Sequence, residues 1–474
     1  MSPAGGVRAL DSTSPPAEAP AAGGGRDPLA VKLDGLAAGS PWTLAILAGG
    51  GIVCVAVLGV NLATGLLGAA LELVFLVYFA RHFAFVSSAL RSAGVDVSGP
   101  AVGVTDHPPV TVLVACKDEA SVVEGLVSSL LGLDYPRARI QVIVVDDGST
   151  DGTAELLDGY AQRLLVLHRS GPGGKSAALN AGLVRATGEI IVVFDADHQP
   201  NPDVITRVVR HFADPLVGCV QGRCEINNPD DSLISRVVAI DYRSGYLVNE
   251  YGRQALFSLP AYGGANCAVR SALLRQLGGW NERSVTEDTD LTMRVILSGY
   301  RVRFDVTAVD REEAVVTMRR YWRQRHRWAR GHQQVWRDYR SAVLSSPRLS
   351  AGEKAETCLF LFGFHVPVLS GAGLAVLGLW VFGLARPFAL VNPYALWTLL
   401  FLGPLLELGG GLLIARAPRH EALSLVWFVP MFFVSVAVAT TAWFGGVFGR
   451  SYTWVKTQRR LDDTRVAVAV PVGR

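Results

Sequence analysis

Glu189-Ile190-Ile191-Val192-Val193-Phe194-Asp195-Ala196-Asp197 is the stretch that decides how this chain is read. The apolar run reads as a buried strand, and it ends in two carboxylates spaced i, i+2. In extended backbone that spacing turns both side chains to the same side. Two carboxylates at the carboxyl end of a strand can hold Mg²⁺ or Mn²⁺ while phosphate oxygens complete the shell. A lone Asp-x-Asp fits a solvated acidic turn equally well, so its neighbours decide its meaning.

Comparable apolar runs stand at residues 110–115, 141–145 and 164–167, alternating with amphipathic stretches. This pattern predicts an α/β domain with a mostly parallel central sheet over residues 100–345. Ligands of such sheets bind at the carboxyl ends of the strands. The notable polar residues follow strands directly, as that rule asks.

The flanks are of another kind. Half of the 474 residues are hydrophobic, too many for a purely soluble protein. Residues 1–40, rich in Pro, Ala, Gly and Ser, predict a disordered tail. Residues 41–86 predict two transmembrane helices, in runs 42–60 and 62–85, with Asn61 and Thr64-Gly65 marking a tight turn between them. The first run begins too far in for an ordinary signal peptide. Residues 357–449 predict a transmembrane bundle of three apolar runs, the first interrupted by His365, Pro367 and Gly371 so that it can split or re-enter. Residues 450–474 form a basic tail, which the positive-inside tendency puts on the cytosolic side. A multi-pass protein of the cell (plasma) membrane with a cytosolic domain is the expected layout. The net charge of +3 gives no reason to expect nucleic acid as a partner. Six scattered cysteines predict neither a disulfide framework nor structural zinc.

Inside the domain, Ala115, Lys117 and Glu119 follow the first strand, and Asp147 follows the second in Asp146-Asp147-Gly148-Ser149. A carboxylate there can accept hydrogen bonds from a uracil ring or a ribose, although Asp-Gly-Ser is also ordinary turn chemistry. Gly173-Gly174-Lys175 places a cation and backbone N–H groups at a helix start, which suits a diphosphate. Thr286-Glu287-Asp288 offers Asp288 as a general base, or else Thr286 or Asp288 as a helix cap. On a helix, Gln324, Arg327 and Trp328 share a face and suit a pyrophosphate beside a sugar ring. The same segment, near 315–340, also reads as an amphipathic interface helix with Tyr321, Trp322 and Trp336 as anchors.

Taken in order, Asp147, Asp195-Ala196-Asp197, Thr286-Glu287-Asp288 and Gln324-x-x-Arg327-Trp328 resemble the membrane-embedded family-2 inverting glycosyltransferases, which include cellulose, hyaluronan and poly-N-acetylglucosamine synthases. The resemblance implies a GT-A nucleotide-sugar-binding domain flanked by transmembrane helices, a UDP-sugar donor, and Mg²⁺ or Mn²⁺ at Asp195 and Asp197. It implies nucleotide-sugar binding by Ala115, Lys117, Glu119, Asp147, Lys175 and Asp195, with Asp288 as the base. Glu287, Gln324, Arg327 and Trp328 then stand at the diphosphate and acceptor end, and Thr453, Trp454, Lys456 and Thr457 resemble a gating loop. The implied activity is processive transfer of a hexose or N-acetylhexosamine to a polysaccharide, with accessory subunits left open. The alternatives are a single transfer to a lipid-linked acceptor and, more remotely, a non-catalytic nucleotide-sugar-binding subunit.

Overall fold

A computed structural model describes residues 41–91, 107–170, 173–387 and 392–449. Its centre is a sheet of eight strands: β1 (Val110–Cys116), β2 (Ile140–Asp146), β3 (Leu165–His168), β4 (Ile190–Asp195), β5 (Gln199–Pro200), β6 (Val217–Ile226), β7 (Cys267–Arg270) and β8 (Arg301–Glu312). They lie in the order β3-β2-β1-β4-β7-β6-β8-β5. The half β3-β2-β1-β4 is parallel throughout, and β6 pairs with β8 in parallel as well. β7 runs antiparallel between β4 and β6, and β5 antiparallel to β8.

The inner strands are unbroken apolar runs because both faces are covered. Leu113, Ile143, Ile191 and Val193 point into one core layer, and Val112, Val144, Val192 and Phe194 into the other. All eight are buried, and each contributes roughly 1.5–3 kcal/mol relative to an exposed side chain. Register then does the positioning. Ala115 stands opposite both Val145 and Asp195, so the carboxyl ends of β1, β2 and β4 are level. The loops that leave them open on one edge.

The membrane part departs from expectation at its start. Pro41–Arg91 is two helices joined across a kink at Gly59 (φ 76°, ψ 155°), so Asn61, Thr64 and Gly65 lie inside the second and not in the turn between them. The Thr64 hydroxyl donates back to the Val60 carbonyl at 2.8 Å, which satisfies it within the helix instead of opening a turn. Among the described residues four segments are long and apolar enough to cross a bilayer: Gly59–Arg91, Ala351–Val381, Pro393–Ile414 and Arg419–Val447. The second bends at the short turn Gly363–His365, just ahead of Pro367, where an interruption was expected.

Between sheet and bundle runs the helix Met318–Ser345, over the segment read as an interface helix. Tyr321 is buried with Ile234, Val238 and Met431, and the Trp336 ring meets Phe362 edge-on at 5.3 Å. The Tyr321 ring is thus covered by protein, while Trp336 is half-buried. The terminal segments, including Thr453, Trp454, Lys456 and Thr457, lie outside the described residues.

Candidate active site

One cavity of about 820 Å³ opens at the carboxyl edge of the sheet, and every candidate from Ala115 to Trp328 lies on its wall. Ala115, Lys117 and Glu119 come from the end of β1, and Lys117 Nζ donates to the Asp147 carbonyl at 3.0 Å. The Asp-Gly-Ser segment serves two purposes. Asp146 makes the turn by accepting from the Ser149 N–H at 3.0 Å, while Asp147 reaches the cavity. The Asp147 carboxylate pairs with Arg169 and accepts from the Gly174 N–H at 2.7 Å. Gly174 needs its freedom here, with φ at 121°, just before Lys175 opens the helix Lys175–Arg185.

Lys175 joins the two halves of the site. Its ammonium lies 2.6 Å from Asp195 and 3.4 Å from Glu287, and it donates to the Gly264 carbonyl at 3.0 Å. Burial opposes its charge, but Asp195 and Glu287 outweigh burial and raise its pKa. Glu287 and Asp288 begin the helix Glu287–Leu297. Thr286 occupies the cap position without making a capping bond, and the Asp288 carboxylate accepts from the Thr289 N–H at 2.6 Å. Asp288 faces the cavity with protein closing in behind it. Burial pushes its pKa above the ordinary value against the pull of Lys175, the Thr289 N–H and Arg327. Gly264, at φ +79°, lets this carboxylate close in: a Cβ there would stand 3.0 Å from Asp288 Oδ2. Two residues on, Asp290 is bound to Arg294 at 2.7 Å and to the Tyr339 hydroxyl at 2.8 Å, which fixes the helix to its neighbour.

From the far wall come Gln324, Arg327 and Trp328, on one face of Met318–Ser345 as their spacing predicts. Arg325 lies over the Trp328 ring at 4.5 Å and pairs with Asp241 at 2.6 Å, so the indole is held in place.

The aspartate pair is arranged differently from its strand reading. β4 ends at Asp195, and Asp197 lies in the following turn, so the two-residue period no longer governs it. Asp197 is grouped with His198 and Glu312, whose ligand atoms all lie within 4.8 Å of one another. His198 presents Nε2 to Glu312 at 2.9 Å and Nδ1 to Asp310. Two carboxylates and an imidazole suit a first-row divalent ion such as Mn²⁺ better than Mg²⁺, which takes oxygen ligands, and Asp310 would fix the ring that points at the ion. Sequence reasoning missed His198, Asp310 and Glu312. Only His198, directly after Asp197, carried a local signal.

Residues 111–278 match the family model Glycosyl transferase family 2, and this part of the chain is a family-2 glycosyl transferase domain. The β-monoglucosyldiacylglycerol synthase of Synechocystis sp. is 35% identical over 297 residues, 60% of this chain and 60% of that protein. The poly-β-1,6-N-acetyl-D-glucosamine synthase of Staphylococcus aureus is 27% identical over 248 residues, 52% of this chain and 60% of that one. The chain thus spans less than two thirds of the length of the curated relatives it matches. Among solved structures, a mannosyltransferase from Pyrobaculum calidifontis, in complex with GDP-Man and Mn²⁺, superposes with a TM-score of 0.57 at 24% identity. That match covers 80% of this chain and all of the other. The fold is GT-A-like: a mixed, mostly parallel sheet carrying candidate membrane-spanning helices.

Proposed function

We propose that this chain transfers a hexose or N-acetylhexosamine from a UDP-linked donor to a hydroxyl of a membrane-borne acceptor, inverting the anomeric centre. The observation that carries the reading is Lys175, which ties Asp195 at the end of β4 to Glu287 beside Asp288 within one cavity. Asp288 takes the proton of the acceptor hydroxyl. The oxygen then attacks the anomeric carbon as the bond to the diphosphate breaks on the opposite face. Lys175 and Arg327 meet the charge that builds on the leaving group. A divalent cation held by Asp197, His198 and Glu312, with Asp195 beside them, would neutralise part of that charge. Asp147, clasped by Arg169 and Gly174, lies at the proposed nucleotide end.

The cavity continues from these groups among the membrane helices, which supports an acceptor arriving from the bilayer side. A processive glycan synthase is the reading that Gln324-x-x-Arg327-Trp328 favours, and single transfer to a lipid is its rival. Plasma-membrane location with the domain in the cytosol is part of the same proposal. Purified protein should be offered a panel of nucleotide sugars with Mn²⁺, following nucleotide release and product mass together. UDP release that stops on chelation supports the reading. Absence of nucleotide release from every donor sinks it.

A further inference from the structure

Gln221 stands in the middle of β6, only 1% exposed and opposite Cys267 of β7. A buried amide is costly without partners, so the groups it binds show what it is for. Its Oε1 accepts from the Gly263 N–H at 2.6 Å. Its Nε2 donates to the carbonyls of Gly222 at 2.9 Å and Ala265 at 3.0 Å, with the Asn266 carbonyl at 3.3 Å. One side chain thus grips the segment Gly263–Asn266 from behind, through both an acceptor and a donor. The segment's ends are fixed separately. Tyr262 donates its N–H to the Thr292 hydroxyl at 3.0 Å, and the Asn266 amide donates to the carbonyls of Arg223 at 3.1 Å and Ala308 at 2.9 Å. Between those ends Gly263 and Gly264 have no side chains of their own to anchor the turn.

The other side of this segment faces the reaction. The Gly264 carbonyl accepts from Lys175 at 3.0 Å, and Gly264 closes so near Asp288 that a Cβ would stand 3.2 Å from the aspartate's own Cβ. Gln221, Gly263 and Ala265 share the cavity wall with Lys175 and Asp288. We infer that Gln221 is a positioning residue for the base: through Gly263 and Ala265 it holds Gly264 against Asp288 and Lys175. The inference rests on the proposed transfer, in which Asp288 takes the acceptor proton. The polar atoms of Gln221 are engaged by backbone, so it acts through the segment and not on a substrate. Few side chains can replace it. Glutamate keeps the bond from Gly263 but turns its second oxygen toward the carbonyls of Gly222 and Ala265. Methionine fills the space and leaves the Gly263 N–H and the Ala265 carbonyl without the amide. Either change frees Gly264 to move, and a misplacement of about 1 Å can slow a reaction by about 10²-fold.

The test is a double-mutant cycle on the full chain in lipid nanodiscs, with the donor found active by nucleotide release. Gln221→Met should lower kcat by about 10²-fold, with donor KM little changed and UDP affinity, read by calorimetry, retained. In Asp288→Asn the base is already gone. There the same substitution should slow the residual turnover by no more than about twofold. Losses that add in full make Gln221 a structural residue and overturn the inference, as does an unchanged kcat. If Gln221→Met binds no UDP, Gln221→Glu is read in the same cycle with the same expected outcomes. Loss of UDP binding in both variants assigns Gln221 to folding and also overturns it. Undiminished turnover in Asp288→Asn alone would instead remove the proposed base, a result distinct from additive losses.

Discussion

Asp288 illustrates how position decides what a carboxylate can do. Asp290, two residues on, is neutralised by Arg294 and Tyr339 and serves packing, whereas Asp288 faces the cavity. Replacing it with Asn keeps the shape and removes the base. Turnover of Asp288→Asn is expected to fall by about 10²–10⁴-fold, with UDP affinity, read by calorimetry, nearly intact. The pH profile follows from the raised pKa. The base works ionised, so activity is lost as pH falls through that value, and the acid limb should lie above the ordinary carboxylate range near 4. Because Glu287 is raised by burial beside it, the limb belongs to the pair. Asp288→Asn should abolish or move that limb, and a limb that stays in place would assign it elsewhere. At the proposed cation group, Asp310→Asn removes the carboxylate that orients His198. Mn²⁺ affinity, measured by EPR titration without donor, should weaken by about 10–100-fold.

The element that carries Asp288 is held from behind by another. Gly331, on the helix Met318–Ser345, lies so close to Thr286 that a Cβ would overlap its side chain. Gly331→Ala therefore pushes on the cap of Glu287–Leu297 and tilts its first turn, at an overpacking cost of about 1–3 kcal/mol. Donor KM should change little while kcat drops, and adding Thr286→Ala should restore part of kcat by removing the two closest atoms, at 2.3 and 2.6 Å. Additive losses in the double variant would separate the two sites. The same helix shows what sequence made legible. Gln324, Arg327 and Trp328 were readable as a face because helical spacing is local. The ends of β1, β2 and β4 were readable because unbroken apolar runs stop at charged residues. β6 and β8 were not. Gly218, Gln221 and Gly222 interrupt the first, and the second buries Asp305, which distant Arg210 and His211 join Thr307 in satisfying, and Asp310, which meets distant His198. Glu312 reaches the cation group through the pairing of β8 with β5, which sets Gln199 opposite Arg311, a contact that no local spacing encodes.

At the scale of the whole molecule, the apolar runs were visible in the sequence but their path was not. The far side of the bundle is marked by the Arg386 N–H donating to Asn61 at 2.8 Å, and the domain side by Arg81 and Glu356. Counting Arg419–Val447 as a crossing would send the tail to the far side. Its contacts argue otherwise. Glu421, near its start, pairs with Arg243 of the domain. Met431 packs with Tyr321, Ala439 and Ala442 pack with Ala329, and Gly446 at its end lies against the Arg330 guanidinium. An α-helix satisfies its own backbone, so it can lie along Met318–Ser345 within the apolar layer without crossing it. Both its ends then belong to the domain side. The charge of Arg459, Arg460 and Arg465 asks for the same placement if that side is the cytosol. Cysteine labelling tests this in intact cells with an impermeant maleimide. Glu155→Cys on the domain and Arg386→Cys on the far side serve as references, both at exposed positions. Thr457→Cys should label as Glu155→Cys does; labelling that follows Arg386→Cys would show that the last helix crosses.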